Sequence, residues 1–504
     1  MSANPSAELH DAAGARAIDA WAIDERGTPG VDLMRAAACA AARVVRGRFP
    51  RAQRIAVVAG SGGNGGDGFE TARLLAAAGC DVRVLRVAGR PPAGAAATTL
   101  ADAVAAGVPI EEAPDGAIGA ALADVDLVVD ALLGTGARAE PAGAVAAAIA
   151  AIGGSGLPVV ALDVPSGVDA STGEAPGVAV QADCTVAFHS DKVGLRIRPG
   201  RDLAGDVVVA PIGVPVGAPV PPAAVDAESA VPLVPSRSAA DSKYAAGAVL
   251  VIGGSVGMAG APALAAAAAL RAGAGVVTVL VPAPVQPVVA GFLREAMVHP
   301  LPVADPEAEL ARHAERADAI VVGPGLGRGP EAEAVARSAL TADRPLVVDA
   351  DALWWAARAP ELLAARTAPA VVTPHSGEAA RLLGVPSDEI EAHRLRSARA
   401  LVEATGATAV LKGSDTLVAA PDGRLGVRLL DCAGLATAGS GDVLAGIVGA
   451  CLARGAEPWT AACAAVAVHV RAGRAATAAR RGGAIIAGDL IEHLPVLGRP
   501  GSPL

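Results

Sequence analysis

Short, continuously apolar runs rich in β-branched residues recur along the chain, with Ala- and Leu-rich stretches between them. In the first half they are Arg54–Ala59, Asp81–Leu85, Asp126–Val129 and Pro158–Leu162. In the second half they are Val249–Ile252, Val276–Leu280, Ala319–Val322, Leu346–Val348, Ala370–Val372 and Ala409–Leu411. Runs that are apolar throughout, rather than at alternate positions, predict strands buried on both faces. With helical stretches between them they predict an α/β architecture of largely parallel sheets. Such sheets collect ligands at the carboxyl ends of their strands, so the polar residues just after each run are the candidates for chemistry.

Two charge-free stretches, Ala245–Leu270 and Ala272–Leu293, are long enough to cross a bilayer. Gly253, Gly254 and Gly257 interrupt the first, and Pro282, Pro284 and Pro287 the second. Both therefore read as strand, loop and buried helix, and no membrane partner is expected. Proline crowds Ala210–Ala240, at 211, 215, 219, 221, 222, 232 and 235. That density suits an interdomain connection and predicts domains over residues 1–218 and 227–504.

Composition narrows the class. A chain of 504 residues with net charge -10 and 2% aromatic residues has neither the basic surface nor the stacking platforms of a nucleic-acid binder. The N-terminus lacks a basic start and an apolar core, so no signal peptide is expected. Cys39, Cys80, Cys184, Cys432, Cys451 and Cys463 stand singly, without Cys-x-x-Cys spacing. That pattern argues against a disulfide framework or zinc site and suits a reducing cytoplasm. Cys451 and Cys463 lie in Ala/Val-rich runs and read as core residues.

The run Arg54–Ala59 is followed by Gly60-Ser61-Gly62-Gly63-Asn64-Gly65-Gly66-Asp67-Gly68 and a predicted helix from Phe69 through Leu75. Such a loop lets the backbone approach a ligand and donate several N–H groups. It has neither dinucleotide-fold spacing nor the lysine of a P-loop. Asp130 ends the next run, before Leu132-Leu133-Gly134-Thr135-Gly136. Asp163 ends another, before Val164-Pro165-Ser166-Gly167-Val168-Asp169, and Lys192 trails Phe188-His189-Ser190-Asp191. Taken singly, each carboxylate suits a helix cap or turn. Together, oxygen donors from Asn64, Asp130 and Ser166 form a set able to hold a hard cation such as potassium.

In the second half, Gly253-Gly254-Ser255 and Gly323-Pro324-Gly325-Leu326-Gly327 are small-residue loops at strand ends. Asp349 and Asp351, then His375 and Glu378, then Lys412-Gly413-Ser414-Asp415-Thr416 follow later strands. Last comes Thr437-Ala438-Gly439-Ser440-Gly441-Asp442, running straight into an apolar helix. Unpaired N–H groups and the helix dipole make such a start a seat for a phosphoryl group. Asp442 beside it is placed to hold or deprotonate an alcohol, which is what phosphate transfer to a hydroxyl requires.

These motifs carry a resemblance. Gly60 to Gly68, Asp130 to Gly136 and Leu162 to Asp169 closely resemble the motifs of NAD(P)H-hydrate epimerase, over about residues 15–215. The resemblance implies a Rossmann-like three-layer domain with potassium at Asn64, Asp130 and Ser166. It implies hydrate contacts at Asn64, Gly66, Asp67, Gly134, Thr135, Gly136 and Glu140, and Asp163 as acid/base. One departure stands out: Gly63 occupies the place of the family's first Asn.

The later motifs look like the ribokinase-like superfamily and, more narrowly, ADP-dependent (S)-NAD(P)H-hydrate dehydratase, over about residues 240–495. That resemblance implies hydrate contacts at Ala261, Gly325, His375 and Asp442. It implies nucleotide contacts at Lys412, Gly413, Ser414, Asp415, Thr416, Gly439, Ser440 and Gly441, and magnesium or its waters at Glu378. The expected cofactors are ADP or ATP, Mg2+ and K+, the expected substrates NADH- and NADPH-hydrate, and a homo-oligomer is expected. The helix dipole predicts that Asp442 stays ionised and weakly basic. Two rival readings are a small-alcohol kinase of vitamin metabolism with a passenger N-terminal domain, and an assembly module with a vestigial nucleotide pocket.

Overall fold

The computed structural model describes residues 8–87, 89–113, 118–137, 139–236, 242–301, 305–429, 431–495 and 497. The chain forms two compact units, Met1–Ala224 and Val225–Leu504. The division falls inside the proline-rich segment, which is not structureless: it holds a strand at Ala224–Asp226 and a 3-10 helix at Ala227–Leu233. Residues 237–240 of that segment lie outside the described residues.

In the first unit seven strands form one sheet in the order Ile110–Ala113, Asp81–Val87, Arg54–Ala59, Leu127–Ala131, Val159–Leu162, Cys184–Phe188, Asp206–Ala210. Every neighbouring pair is parallel. The chain works outward one way from Arg54–Ala59, then returns to start the other side at Leu127–Ala131. The switch point lies between those two strands, which is where a crevice opens in a doubly wound sheet. Helices Gly30–Arg48 and Gly63–Ala77 pack on one face and helix Gly143–Gly154 on the other. Outside this seven-stranded sheet, Glu8–His10 pairs in parallel with Asp191–Lys192.

In the second unit the order is Met297–Leu301, Val276–Pro282, Ala248–Ile252, Ala319–Val322, Leu346–Val348, Ala370–Val372, Thr408–Leu411, Asp415–Ala419, Leu425–Leu429. The pairings are parallel as far as Thr408–Leu411 and antiparallel through the following two strands. The two charge-free stretches resolve into strand Ala248–Ile252 with helix Gly260–Arg271, and strand Val276–Pro282 with helix Gln286–Phe292. No helix among the described residues is long and apolar enough to cross a membrane.

Helix Ser440–Ala453 is buried from Val443 through Ala453. Its small residues permit that depth: a Cβ on Gly446 would sit 2.1 Å from the Ala265 carbonyl oxygen. Cys451 and Cys463 are buried, as core residues should be.

One local expectation fails. The helix predicted from Phe69 begins at Gly63, so most of the glycine-rich loop is helix. The glycines serve close packing rather than a loose turn. A Cβ on Gly65 would lie 1.9 Å from the Gly60 carbonyl oxygen, and one on Gly68 would lie 2.5 Å from the Ala131 Cβ. Gly66 faces inward against Met34 and Ala96.

Candidate active sites

At the first unit's switch point lies a cavity of about 560 Å3. The turn after Arg54–Ala59, the helix start at Gly63, the Gly134–Gly136 turn and Asp163 all contribute to its wall. Asp163 adopts a left-handed backbone (φ 65), strain that a non-glycine residue tolerates only when its surroundings hold it there. The hold is visible. Lys192 Nζ lies 2.7 Å from Asp163 Oδ1, and the Thr135 N–H donates to Oδ2 at 3.1 Å. Burial alone would raise this carboxyl, but the Lys192 ammonium brings it below the ordinary carboxylate value.

Behind that wall sits the proposed cation set. Asp130 is fully buried, accepting from the Ser166 N–H at 2.8 Å and the Ser166 hydroxyl at 2.6 Å. Burial pushes its carboxyl up to about 6 against those bonds. Asn64 donates through Nδ2 to the Leu133 carbonyl at 2.9 Å, which leaves its Oδ1 buried without a hydrogen-bond partner. A bare buried amide oxygen beside a carboxylate and a hydroxyl is chemistry that suits a hard monovalent cation.

Of the hydrate contacts expected here, Asn64, Asp67, Gly134, Thr135 and Gly136 share the cavity wall with Asp163. Gly66 is packed away from it, and Glu140 is exposed, its side chain against Gly177. Burial raises Asp67 well above the usual carboxylate range, and the nearby Asp163 and Asp19 charges add to it.

Sequence reasoning missed Arg16 and Asp19, on helix Ala12–Ala20, and the apolar wall from Ile23, Leu33 and Met34. Arg16 Nη1 donates to the Thr135 carbonyl at 2.9 Å and so braces the Gly134–Gly136 turn. No local motif marks these residues. Lys192 carried a signal: it follows the strand Cys184–Phe188, whose carboxyl end faces the same crevice.

The second unit's strand ends build a different site. Gly439 caps helix Ser440–Ala453 in a left-handed conformation (φ 84), and Asp442 lies in the first turn. Asp349 ends its strand buried, bonded to Lys412 Nζ at 2.9 Å and the Thr373 hydroxyl at 2.7 Å. Lys412 also lies 3.7 Å from Glu378 Oε2, and a Cβ on Gly441 would be 3.5 Å from Lys412 Nζ. The helix start and the Lys412–Asp349 pair are therefore direct neighbours.

Asp442 is half-buried, and its carboxyl is pushed up to about 7, first by burial and then by Asp349, with Lys412 opposing. This corrects the expectation of a weakly basic side chain. A helix dipole contributes about 0.3–1 kcal/mol at such a position, and it is outweighed by desolvation and three neighbouring carboxylates. Glu378 is likewise raised by burial, with Lys412 opposing.

His375 caps helix Ser376–Leu383: its Nδ1 accepts from the Gly377 N–H at 3.0 Å, and Glu378 accepts from the His375 N–H at 2.9 Å. Its ring remains largely exposed, with Nε2 3.5 Å from Glu378 Oε1. Ala261 and Gly325 meet, since a Cβ on Gly325 would lie 3.2 Å from the Ala261 Cβ. One turn further along the same helix, Leu264 reaches the Gly439 position.

In the Lys412–Thr416 loop, the Ser414 hydroxyl is buried with no partner, which leaves it available to a ligand. Asp415 and Thr416 are buried in the next strand, where Asp415 pairs with Arg394 at 2.8 Å and Thr416 donates to the Gly413 carbonyl. Their side chains are spent on the fold. The Ser440 hydroxyl shares a hydrogen bond with buried His469 at 3.1 Å, and its N–H donates to the Thr437 carbonyl at 3.3 Å. No group of three His, Cys, Asp or Glu among the described residues could hold a metal ion.

Fold and strand-end sites together point to an α/β enzyme. Two family models match it: YjeF-related protein N-terminus over residues 30–194, and NAD(P)H-hydrate dehydratase over 249–495. A bifunctional NAD(P)H-hydrate repair enzyme of Moorella thermoacetica is 37% identical over 500 residues, covering 95% of this chain and 94% of its own. Its Escherichia coli counterpart is 36% identical over 487 residues, covering 95% and 92%. The chain is also similar to a solved ADP/ATP-dependent NAD(P)H-hydrate dehydratase from Bacillus subtilis, co-crystallised with ATP/Mg2+. That likeness is 30% identity over 53% of this chain and 95% of that one, with a TM-score of 0.46. The chain belongs to the family of bifunctional NAD(P)H-hydrate repair enzymes.

Proposed function

We propose that the family's two reactions are divided between the two units, with Asp163 central to one and Asp442 to the other. The chain epimerises the R and S forms of hydrated NADH or NADPH and returns the S form to NAD(P)H at the expense of a nucleotide.

In the first unit the reacting carbon bears a hydroxyl next to the ring nitrogen. Inversion there needs the nitrogen lone pair to expel the hydroxyl as it takes up a proton and leaves as water, and water returning to the other face of that carbon to give up a proton. Asp163, kept ionised by Lys192, accepts the proton, and the Lys192 ammonium 2.7 Å away is the adjacent donor. Asn64, Asp130 and Ser166 would hold potassium, whose charge would favour an ionised Asp130.

In the second unit, the N–H groups of Gly439 and Gly441 seat the terminal phosphoryl of ADP or ATP, and Ser414 serves the nucleotide loop. Asp442 removes the proton from the hydrate's hydroxyl as that oxygen bonds to phosphorus. Phosphate then leaves as the ring nitrogen pushes in its electrons, and a proton lost from the neighbouring ring carbon restores the dihydronicotinamide. Glu378 suits a magnesium ion carried in by the nucleotide rather than one caged by side chains. His375 and the Ala261–Gly325 contact form the hydrate side.

The observation that carries this reading is the Asp442 carboxyl at a phosphate-seating helix start, next to the Lys412–Asp349 pair. Asp442→Asn should abolish nucleotide-dependent recovery of NADH from its hydrate and leave R-to-S exchange, followed by chromatography, untouched. Recovery at the wild-type rate would contradict it.

A further inference from the structure

Arg394 opens helix Arg394–Thr405 and is 1% exposed, the largest fully enclosed side chain among the described residues. Its Nε pairs with buried Asp415 at 2.8 Å. Its Nη2 donates toward the carbonyl oxygens of Leu411 and Lys412, each at 3.4 Å, and of Asp415 at 3.2 Å. The loop is moulded on it, since a Cβ on Gly413 would lie 2.4 Å from Nη2.

The remaining arm points elsewhere. Nη1 lies 3.4 Å from Glu391 Oε2, and the other Glu391 oxygen accepts from the Ser376 hydroxyl. Ser376 directly follows His375 and begins its helix. One guanidinium thus reaches both the loop assigned to the nucleotide and, through Glu391, the turn assigned to the hydrate.

Stability alone is a weak reason for this arrangement. Replacing a buried ion pair with apolar groups of similar volume is often neutral or stabilising. What an apolar side chain cannot supply is a planar fork aimed at several carbonyls at once.

We propose that Arg394 is a positioning residue: it holds the Lys412–Asp415 loop and the His375–Ser376 turn in one register, so that phosphoryl donor and hydroxyl acceptor meet at Asp442. This rests on the assignment of the second unit given above. A misplacement of about 1 Å can cost on the order of a hundredfold in rate, so a strut of this kind acts on turnover as well as on affinity.

The test uses the full chain with Glu391→Ala, Glu391→Gln and Arg394→Lys. ADP binding by calorimetry gives affinity and the number of competent sites. Turnover of purified S hydrate at saturating ADP gives the rate at each site, and nucleotide-free epimerisation reports on the other unit. Glu391→Ala, on a partly exposed helix, should keep ADP affinity within about threefold and lose about tenfold in turnover per site. Glu391→Gln, whose Oε1 can accept from Arg394 while its Nε2 donates to the Ser376 hydroxyl, should restore most of that loss. Arg394→Lys, which keeps the charge but not the fork, should lose about tenfold or more in both affinity and turnover.

Wild-type turnover per site in Glu391→Ala and Arg394→Lys would overturn the proposal. So would a fall only in the number of competent sites, which is what a purely structural role produces. Failure of the underlying assignment shows in the wild type, as absence of ADP binding, and would overturn both.

Discussion

Asp442 shows how a single side chain's environment sets its chemistry. Its position at a helix start favours the charged form, yet burial and the Asp349 charge raise its carboxyl from 3.8 to about 7. As the proton acceptor it must be ionised, so nucleotide-dependent dehydration should fall as pH drops through about 7. A limb near 4, the ordinary carboxylate range, would mean another group limits the rate. Folding follows the opposite sense. A carboxyl raised in the folded state gives stability that is full below pH 3.8 and is lost as pH climbs to about 7. Denaturant melts of the wild type should show that decline, and Asp442→Asn should flatten it. Gly63 offers a second residue-scale test. A Cβ there meets nothing within 4 Å, and its backbone is not left-handed. Gly63→Asn, restoring the family's usual residue, should fold with stability within about 1 kcal/mol of wild type and lower the KM for hydrate epimerisation. A raised KM would show that glycine is preferred at this wall.

At the scale of elements, the glycine-rich segment is the instructive case. Read as a loop, it proves to be the first turns of helix Gly63–Ala77, brought onto the sheet by glycines that leave room for backbone. Gly65→Ala should therefore cost at least about 2 kcal/mol and impair epimerisation, because a methyl group would strike the Gly60 carbonyl. Near-wild-type stability in denaturant melts would refute the close packing. The same contrast explains what was legible in the sequence. Central strands such as Arg54–Ala59 and Leu346–Val348 announce themselves because burial on both faces excludes polar residues. Peripheral strands do not: Ile110–Ala113 carries two glutamates, and Met297–Leu301 carries His299 and Pro300, polarity and proline that an edge tolerates. The antiparallel hairpin Asp415–Ala419 with Leu425–Leu429 hid behind Asp415 and Thr416, which read as loop residues until their partners were known. The sites were legible where chemistry sits at the end of a central strand, as at Asp130, Asp163 and Asp349, or at a glycine-marked helix start, as at Asp442. Residues delivered from other elements, such as Asp19 and Arg394, depend on tertiary packing and leave no local pattern.

On the scale of the whole molecule, each unit has its own sheet, its own strand-end site and its own acidic centre. One unit's product is the other's substrate, since the second uses a single epimer and the first replenishes it. The demands of the two centres differ, and so should their sensitivities. Depleting potassium should slow epimerisation, where the Asn64 oxygen waits without a partner, and leave dehydration of purified S hydrate unchanged. Equal slowing of both would place the cation elsewhere.

The most direct test of this division is the time course of NADH absorbance when the chain meets a mixed R/S hydrate with ADP. Wild type should recover the whole pool. Asp163→Asn should stop once the S form is exhausted, and Asp442→Asn should recover nothing while still interconverting the epimers. Disappearance of the R form at the wild-type rate in Asp163→Asn, or recovery by Asp442→Asn, would contradict the account.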